Sequence, residues 1–294
     1  MKIYIFPNLD KQNCKEYTEK ACNVLNKCGA ELLIDEKYKN NFAHLDFLDF
    51  SDETKCVSRC DVIVVIGGDG TILKCAKFAS TLKKPILGIN CGRLGFMTSL
   101  EHDQIDLLEK LCKGEYTISR RMMLSVCIES DGDEPMQFNA LNDVVISKCD
   151  DCKIADFEVC KNDKTISFLR ADGVIFSTPT GSTAYSMSAG GPIIEPELEC
   201  IEYTQICAHT LFARTVLLSA DSEIIIKSRC NNNGRTYVNV DGNIVCKLTN
   251  DDSVKVSKSE YYIDVIEIAG GSFFASLNGK LMQPLKEYSE DKEQ

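Results

Sequence analysis

One stretch, Asp61 to Thr71, reads Asp-Val-Ile-Val-Val-Ile-Gly-Gly-Asp-Gly-Thr and constrains the fold more than any other. Val62 to Ile66 is an unbroken β-branched run, the pattern of a strand covered on both faces. Gly67, Gly68 and Gly70 then remove every Cβ around one carboxylate, Asp69. Glycine there lets the chain turn tightly and lets a bulky anion approach its N–H groups. Thr71 stands where an N-cap hydroxyl would open a helix carrying Ile72, Leu73, Ala76 and Lys77. A carboxylate beside phosphates repels them, so Asp69 must either bind a cation or accept a proton. Both roles belong to phosphoryl transfer. The plain alternative is a strand-to-helix turn in which Asp69 caps Ile72 or Leu73.

Around this stretch strands alternate with helices. Lys2 to Phe6 reads as a strand, Asp10 to Cys28 has apolar residues at helical spacing with Gly29 as its cap, and Ala30 to Ile34 and Pro85 to Ile89 are further strands. Glu101 to Leu111 resembles another helix, ended by Gly114. The alternation predicts βαβ units and a parallel sheet, with ligands at the carboxyl ends of its strands. A second loop, Asn90 to Met97, is delivered to that edge. It offers Arg93 as a phosphate partner and Phe96 either as a wall for a base or sugar or as a core residue. Asp35 to Arg59 is polar and carries no clear period.

From Tyr116 to Ile268 short alternating segments are broken by Asp-Gly, Asn-Asp and Asn-Asn-Asn-Gly turns, the signature of an all-β domain. Helical spacing returns at Phe273, Phe274, Leu277, Leu281 and Leu285. The expected organisation is an α/β domain over 1–115, rejoined by a tail over 270–294, and a β-rich domain over 116–269, with residues from Glu287 on frayed.

Composition excludes several classes. A formal charge of -11 and a pI near 4.9 argue against non-specific nucleic-acid or membrane-surface binding. No apolar run reaches the length of about 18 residues that a transmembrane helix needs, and the N-terminus lacks an export pattern, so a cytoplasmic protein is expected. In that compartment the 16 cysteines are expected to be free thiols, Cys149-Asp-Asp-Cys152 included. His44, His102 and His209 lie without ligand spacing. Ser177 or Ser182 with His209 suggests a hydrolase on paper, but no nucleophile elbow surrounds either serine.

Two later constellations stand out from scaffold. Asn142-Asp143 precedes a strand and offers amide donors, an amide acceptor and a carboxylate, which suit the vicinal diol of a ribose; a simple turn is the other reading. The segment Arg170 to Pro192 runs from a strand into a loop dense in hydroxyls and glycine that opens a small-residue helix. It gathers N–H and O–H donors into an anion or nucleotide site, with Tyr185 as a stacking face.

In this order and spacing, Gly67-Gly68-Asp69-Gly70-Thr71, the Asn90 to Phe96 loop, Asn142-Asp143 and Asp172 to Pro192 closely resemble the NAD kinase family. Val240-Asp241-Gly242 and the Phe273 to Leu281 stretch are also similar to family features. The resemblance implies a Rossmann-like N-terminal domain with a parallel sheet and a β-sandwich-like C-terminal domain. It implies transfer of the γ-phosphoryl of ATP to the 2′-hydroxyl of the adenosine ribose of NAD, with Mg²⁺ or another divalent metal. Asp69 is then the base and a candidate metal ligand, and Gly68, Gly70, Thr71 and Arg93 serve the phosphates. Asn142 and Asp143 hold the nicotinamide-side ribose, and Phe96 closes over the substrate. Arg170, Thr180, Thr183, Ala184, Tyr185 and Ser188 line the nucleotide, while Asp172 and Asp241 contact NAD at a site shared between subunits of a homodimer or homotetramer. Asp143 stands where many members have glutamate, and Ala208 to Thr215 lacks two prolines of the family pattern. The competing expectations are an NAD(H) sensor without kinase activity and a lipid kinase of the diacylglycerol kinase type, which shares the glycine loop.

Overall fold

The computed structural model describes residues 1–92, 95–130, 132–150, 152–210, 213–230, 234–268 and 273–281. The expectations for Arg93, the Asn-Asn-Asn turn at 231–233, Leu285 and the end of the chain lie outside the described residues. The chain divides into two compact units, one of Met1–Arg120 with the chain from Ile263 onward, the other Arg121–Tyr262.

The first unit is built in chain order from β1 (Lys2–Pro7), α1 (Cys14–Lys27), β2 (Glu31–Asp35), α2 (Lys39–Phe42), β3 (Leu48–Ser51), α3 (Glu53–Arg59), β4 (Val62–Gly67), α4 (Asp69–Ala79), β5 (Ile86–Asn90), β6 (Leu100–Glu101) and α5 (Leu108–Lys113). Its strands pair in parallel in the order β3-β2-β1-β4-β5, and β5 also pairs β6. Every residue of β4 is buried. Side chains pointing one way (Val62, Val64, Ile66) pack with Ile3, Ile5, Leu87 and the Ala21 and Leu25 face of α1. Ile63 and Val65, pointing the other way, are equally inaccessible. Full burial of each such side chain is worth roughly 1.5–3 kcal/mol, which explains why this strand reads as continuous β-branched sequence.

The stretch that resisted reading, Asp35 to Arg59, holds a short 3-10 turn, α2, the edge strand β3 and α3. Asp52 caps α3 by accepting from the Lys55 N–H at 3.0 Å. α1 begins at Cys14, after the Asp10 bound of the expected segment, because Asn8 to Asn13 is spent on turns: the Lys11 N–H donates to the Asn8 carbonyl, and the Cys14 N–H to that of Lys11. The strand order reverses between β1 and β4, since the chain winds to β2 and β3 on one side and to β5 on the other. In open parallel sheets ligands bind beside that switch point. The two loops that leave it are Asn8–Asn13 and the glycine loop.

β7 (Thr117–Glu129) leads into the second unit, which continues with β8 (Met136–Ala140), β9 (Asp143–Lys148), β10 (Ala155–Lys161), β11 (Lys164–Ala171), β12 (Gly173–Ser177), the short α6 (Tyr185–Ser188), β13 (Cys200–Ile206), β14 (Val216–Ser219), β15 (Ile224–Cys230), β16 (Thr236–Val240), β17 (Asn243–Leu248) and β18 (Ser253–Glu267). α7 (Phe273–Leu281) follows in the first unit. One antiparallel layer runs β14-β13-β12-β9-β16-β17, the other β11-β10-β15-β18-β7-β8. Val144, Ile146, Val174 and Phe176 of the first layer share a core with Leu124, Phe157, Ile226 and Val254 of the second. The result is a two-layer β-structure, as the alternating sequence implied. β13 and β14 were not expected. Four consecutive buried residues in β13, Glu202 among them, erase the alternation that marks a half-buried strand.

The cysteines differ from expectation. Cys152 and Cys230 form a disulfide that links the start of β10 to the end of β15, 78 residues apart in sequence, while Cys149 stays a buried thiol. All 16 cysteines were expected to be free, but the antiparallel β10–β15 pairing brings Cys230 beside Ala155 and so within reach of Cys152.

Candidate active site

In the first unit β4 ends at Gly67, and α4 starts immediately, with Gly68 at its N-cap position and Asp69 in its first turn. Thr71 is therefore not the cap, because the helix opens two residues earlier than its hydroxyl suggests. Its Oγ1 instead accepts from the Asn8 side-chain amide at 3.2 Å, tying the loop after β1 to the glycine loop. The Asp69 carboxylate turns away from its own helix. Its Oδ2 accepts from the Phe96 N–H at 2.9 Å and its Oδ1 from the Met97 N–H at 3.1 Å. Both carboxylate oxygens are thus held by backbone donors of the loop that follows β5. Gly95 makes this approach feasible: a Cβ there would collide with Asp69 Oδ1 and lie 2.6 Å from Thr98 Oγ1.

Asp69 lines a cleft of about 490 Å³ together with Lys11, Gln12, Gly68, Cys91, Gly92 and Gly95. Gly70 needs no room for its missing side chain, since a Cβ there would meet open space. The half-buried Phe96 ring lies 6.2 Å from that of Phe273, so it has an apolar neighbour on α7 as well as its place beside Asp69. Lys11 was missed in the sequence because a single lysine in a polar turn carries no pattern. The signal that would have found it is its place just after β1, at the strand-order switch.

In the second unit the key element is the turn that enters β9. Asp241, in a left-handed backbone conformation (φ 49°), follows β16 and directs its carboxylate at that turn. It accepts from the N–H groups of Leu141 at 2.9 Å, Asn142 at 2.7 Å and Asp143 at 3.2 Å. Asn142 and Asp143 are thereby fixed, more rigidly than a simple turn requires. Thr178 reinforces them, its hydroxyl donating to the Leu141 carbonyl at 2.6 Å and its N–H to that of Asn142. Burial, and after it the Asp241 charge, raises the Asp143 carboxyl to about 7, while a hydrogen bond from the Tyr185 backbone pulls the other way. Tyr185 itself is exposed, with Thr183 and Ala184 half-buried and Ser188 exposed beside it.

Two buried polar atoms at this place, Asn142 Oδ1 and Thr180 Oγ1, have no hydrogen-bond partner. Buried polar groups are rarely left so, and both atoms have hydrogen-bonding capacity that the protein does not use. Beneath the loop lies a residue the sequence reading missed. Glu202 is fully buried against Ser186 and Thr204, and burial raises its carboxyl to about 7. A Cβ on Gly191 would strike it, and Gly190 before it has a positive φ of 89°.

Not all expected residues gather at this turn. Asp172 pairs with Lys148 at 2.7 Å. Arg170 forms a two-pronged pair with Asp156 across β10 and β11, at 2.8 and 3.2 Å. This pair holds the Asp156 carboxyl below its ordinary range and lines a separate cleft with His209, Gln205 and Phe168. Among the described residues no cluster of three or more acids, histidines or cysteines could hold a metal, and no helix is long and apolar enough to cross a membrane.

Comparison with known proteins agrees with this geometry. Residues 3–116 match the model of the ATP-NAD kinase N-terminal domain, and residues 141–268 that of the C-terminal domain. The NAD kinase of Caldanaerobacter subterraneus is 36% identical over 283 residues, 96% of this chain and 99% of that protein. That of Clostridium beijerinckii is 39% identical over 259 residues, covering 87% and 90%. The fold is shared with yeast NADH kinase complexed with NADH (TM-score 0.86, 23% identity, 97% of this chain and 88% of that one). It is shared too with an Archaeoglobus fulgidus NAD kinase in complex with ATP (TM-score 0.69, 24% identity, 96% and 99%). With both domain models matched and relatives above a third identical over nearly its whole length, the chain belongs to the NAD kinase family.

Proposed function

We propose that the protein transfers the γ-phosphoryl of ATP to the 2′-hydroxyl of the adenosine ribose of NAD, giving NADP. The observation that carries this reading is the placement of Asp69. It is a carboxylate fixed by two backbone N–H donors in a glycine-lined cleft. A ribose hydroxyl is a weak nucleophile at neutral pH, and Asp69 accepts its proton as the oxygen attacks phosphorus. The bond to the β-phosphate oxygen breaks as the new P–O bond forms, and ADP leaves. Such transfer has a loose transition state, so the protein contributes position and charge neutralisation. Gly68, Gly70 and Thr71 form the floor of the phosphate site, with Arg93 assigned to the same role, and Phe96 covers the substrate.

The second unit supplies recognition. Asn142 and Asp143 bind the nicotinamide-side ribose, and the orphaned Asn142 Oδ1 and Thr180 Oγ1 are satisfied by the dinucleotide. Thr183, Ala184, Tyr185 and Ser188 line its bases. Asp241 acts on NAD through the turn that it anchors. Arg170 and Asp172, engaged by Asp156 and Lys148, shape the neighbouring surface, where we place the contact between subunits of a homodimer or homotetramer. Phe168, 72% exposed on the same strand as Arg170, supports that placement.

A divalent ion such as Mg²⁺ fits the donor set only as a complex of the triphosphate, because among the described residues lining the cleft Asp69 is the one carboxylate. Held by Asp69 and the phosphates, it would neutralise charge on the transferred group. A cytoplasmic location follows from the reading, since ATP and NAD are drawn from that pool. Purified protein mixed with NAD, ATP and Mg²⁺ is expected to form NADP, detected with an NADP-specific dehydrogenase. Clear NAD binding with no NADP from any phosphoryl donor would replace the kinase by a sensor.

A further inference from the structure

Among the described residues lining the Asp69 cleft Lys11 is the one cation, and no sequence motif assigns it a role. It sits on the turn after β1, one of the two loops at the strand-order switch, and its Nζ lies 3.2 Å from the Gly67 carbonyl oxygen. The ammonium rests over the glycine loop itself. A Cβ on Gly68 would collide with it, and a Cβ on Gly92 would lie 3.9 Å away. Gly68 is in extended backbone, which any residue adopts. Its lack of a side chain therefore matters for the space it leaves to Lys11.

The charge balance points to a ligand. Lys11 is half-buried, and among the described residues no carboxylate lies within ion-pair distance of its ammonium. A cation partly removed from water gains little from one carbonyl dipole and much from an anion. Asp69 lines the same cleft and repels phosphate, so a donor bound there needs a fixed positive charge on the opposite side. The turn that carries Lys11 is well held. The Asn8 N–H donates to the Ile66 carbonyl at 2.9 Å, and the Asn8 amide reaches Thr71. Next to it Cys91 closes the wall, its N–H donating to the Gly67 carbonyl at 2.9 Å.

We propose that Lys11 binds the polyphosphoryl chain of the phosphoryl donor, its ammonium bridging the glycine loop and the phosphate oxygens. This assignment rests on the kinase reading for its substrate. The chemistry it recognises, a chain of linked phosphates, is common to ATP and inorganic polyphosphate. It differs from the role of Asp69, which acts on the acceptor hydroxyl, so the two should separate kinetically.

The test uses the full-length protein with Lys11→Met, Lys11→Gln and Lys11→Arg. Calorimetric titration with ATP, with inorganic tripolyphosphate and with NAD is run alongside steady-state kinetics. Loss of one charge-assisted contact is expected to weaken phosphate-chain binding about tenfold or more. Lys11→Met and Lys11→Gln should both show it, with KM for ATP rising in step and NAD affinity unchanged, and Lys11→Arg should recover most of the loss. Weakening toward tripolyphosphate alone would support the site with inorganic polyphosphate as its donor, and weakening toward both would support it with ATP. Lys11→Gln keeps a donor for the Gly67 carbonyl, so it preserves the turn if Lys11→Met does not fold. Wild-type affinity for ATP and tripolyphosphate in Lys11→Gln would overturn the proposal and leave Lys11 a structural tie. Absence of NADP formation by the wild type would count against the kinase reading, while the tripolyphosphate titrations would still decide the role of Lys11.

Discussion

The Asp241 carboxylate accepts a hydrogen bond from the Asn142 N–H at 2.7 Å, across 99 residues of sequence. Through this bond and its two neighbours the end of β16 sets the geometry of the turn into β9. The same carboxylate raises the pKa of Asp143, after burial, so that anchoring and ionisation of the ribose site are coupled.

Asp241→Ala should remove the acceptor of three N–H groups and place a Cβ residue without amide or carboxylate at a positive φ. A loss of about 2–4 kcal/mol is expected in urea unfolding, with KM for NAD raised. Asp241→Asn keeps one acceptor oxygen and tolerates the backbone, so its loss should be smaller. Equal stability of wild type and Asp241→Ala would contradict the anchoring role.

Asp143 and Glu202 both have folded-state pKa values near 7, above their ordinary values. Between roughly pH 4 and 7 the native state therefore holds more protons than the unfolded chain. Each group lowers stability by up to about 1.4 kcal/mol per pH unit in that window. Their contribution is most favourable below about pH 4, declines as pH rises and levels off above about 7. Unfolding midpoints followed from pH 4.5 to 8 should show the decline, and Asp143→Asn and Glu202→Gln should each flatten it. An ionised Asp143 is also the stronger acceptor for ribose hydroxyls, so NAD affinity should rise through pH 7 in the wild type and not in Asp143→Asn.

Gly95→Ala would force a Cβ into the Asp69 carboxylate. A displacement of about 1 Å at a reacting group can cost on the order of a hundredfold in rate. The variant should lose kcat on that scale while binding NAD normally. A variant with wild-type kcat would show that Asp69 is not held where its hydrogen bonds to Phe96 and Met97 place it.

The Cys152–Cys230 disulfide closes a long loop in the second unit. Titration of thiols in denaturant without reductant should find 14 of the 16 cysteines free. Reduction, or Cys152→Ser, should destabilise the unit by about 2–4 kcal/mol. Sixteen reactive thiols before reduction would contradict the bond.

The parts of this molecule that were legible in its sequence are those where one local rule acts alone. β4 announces itself because both of its faces are covered, and the glycine loop because Gly67 and Gly68 leave no room for a Cβ against Thr71 and Lys11. Asn142 and Asp143 were visible as a pair, but not the clamp that holds them, since Asp241 reaches them from another strand. β13 stayed hidden because Glu202 and Thr204 are buried polar residues, Thr204 sharing a hydrogen bond with Ser186 and donating to one Glu202 oxygen. Thr71 misled as a cap because the turn carrying Asn8 claims its hydroxyl. Lys11 acquires meaning only from the strand order, which no short window of sequence contains.

The central claim is that Asp69 takes the proton of the attacking hydroxyl, and Asp69→Asn tests it most directly. The substitution keeps shape and one acceptor oxygen but removes the basic carboxylate. NADP formation should fall by about a hundredfold or more, with the dissociation constant for NAD within a factor of about two of wild type. NADP formation by Asp69→Asn at the wild-type rate would contradict the account.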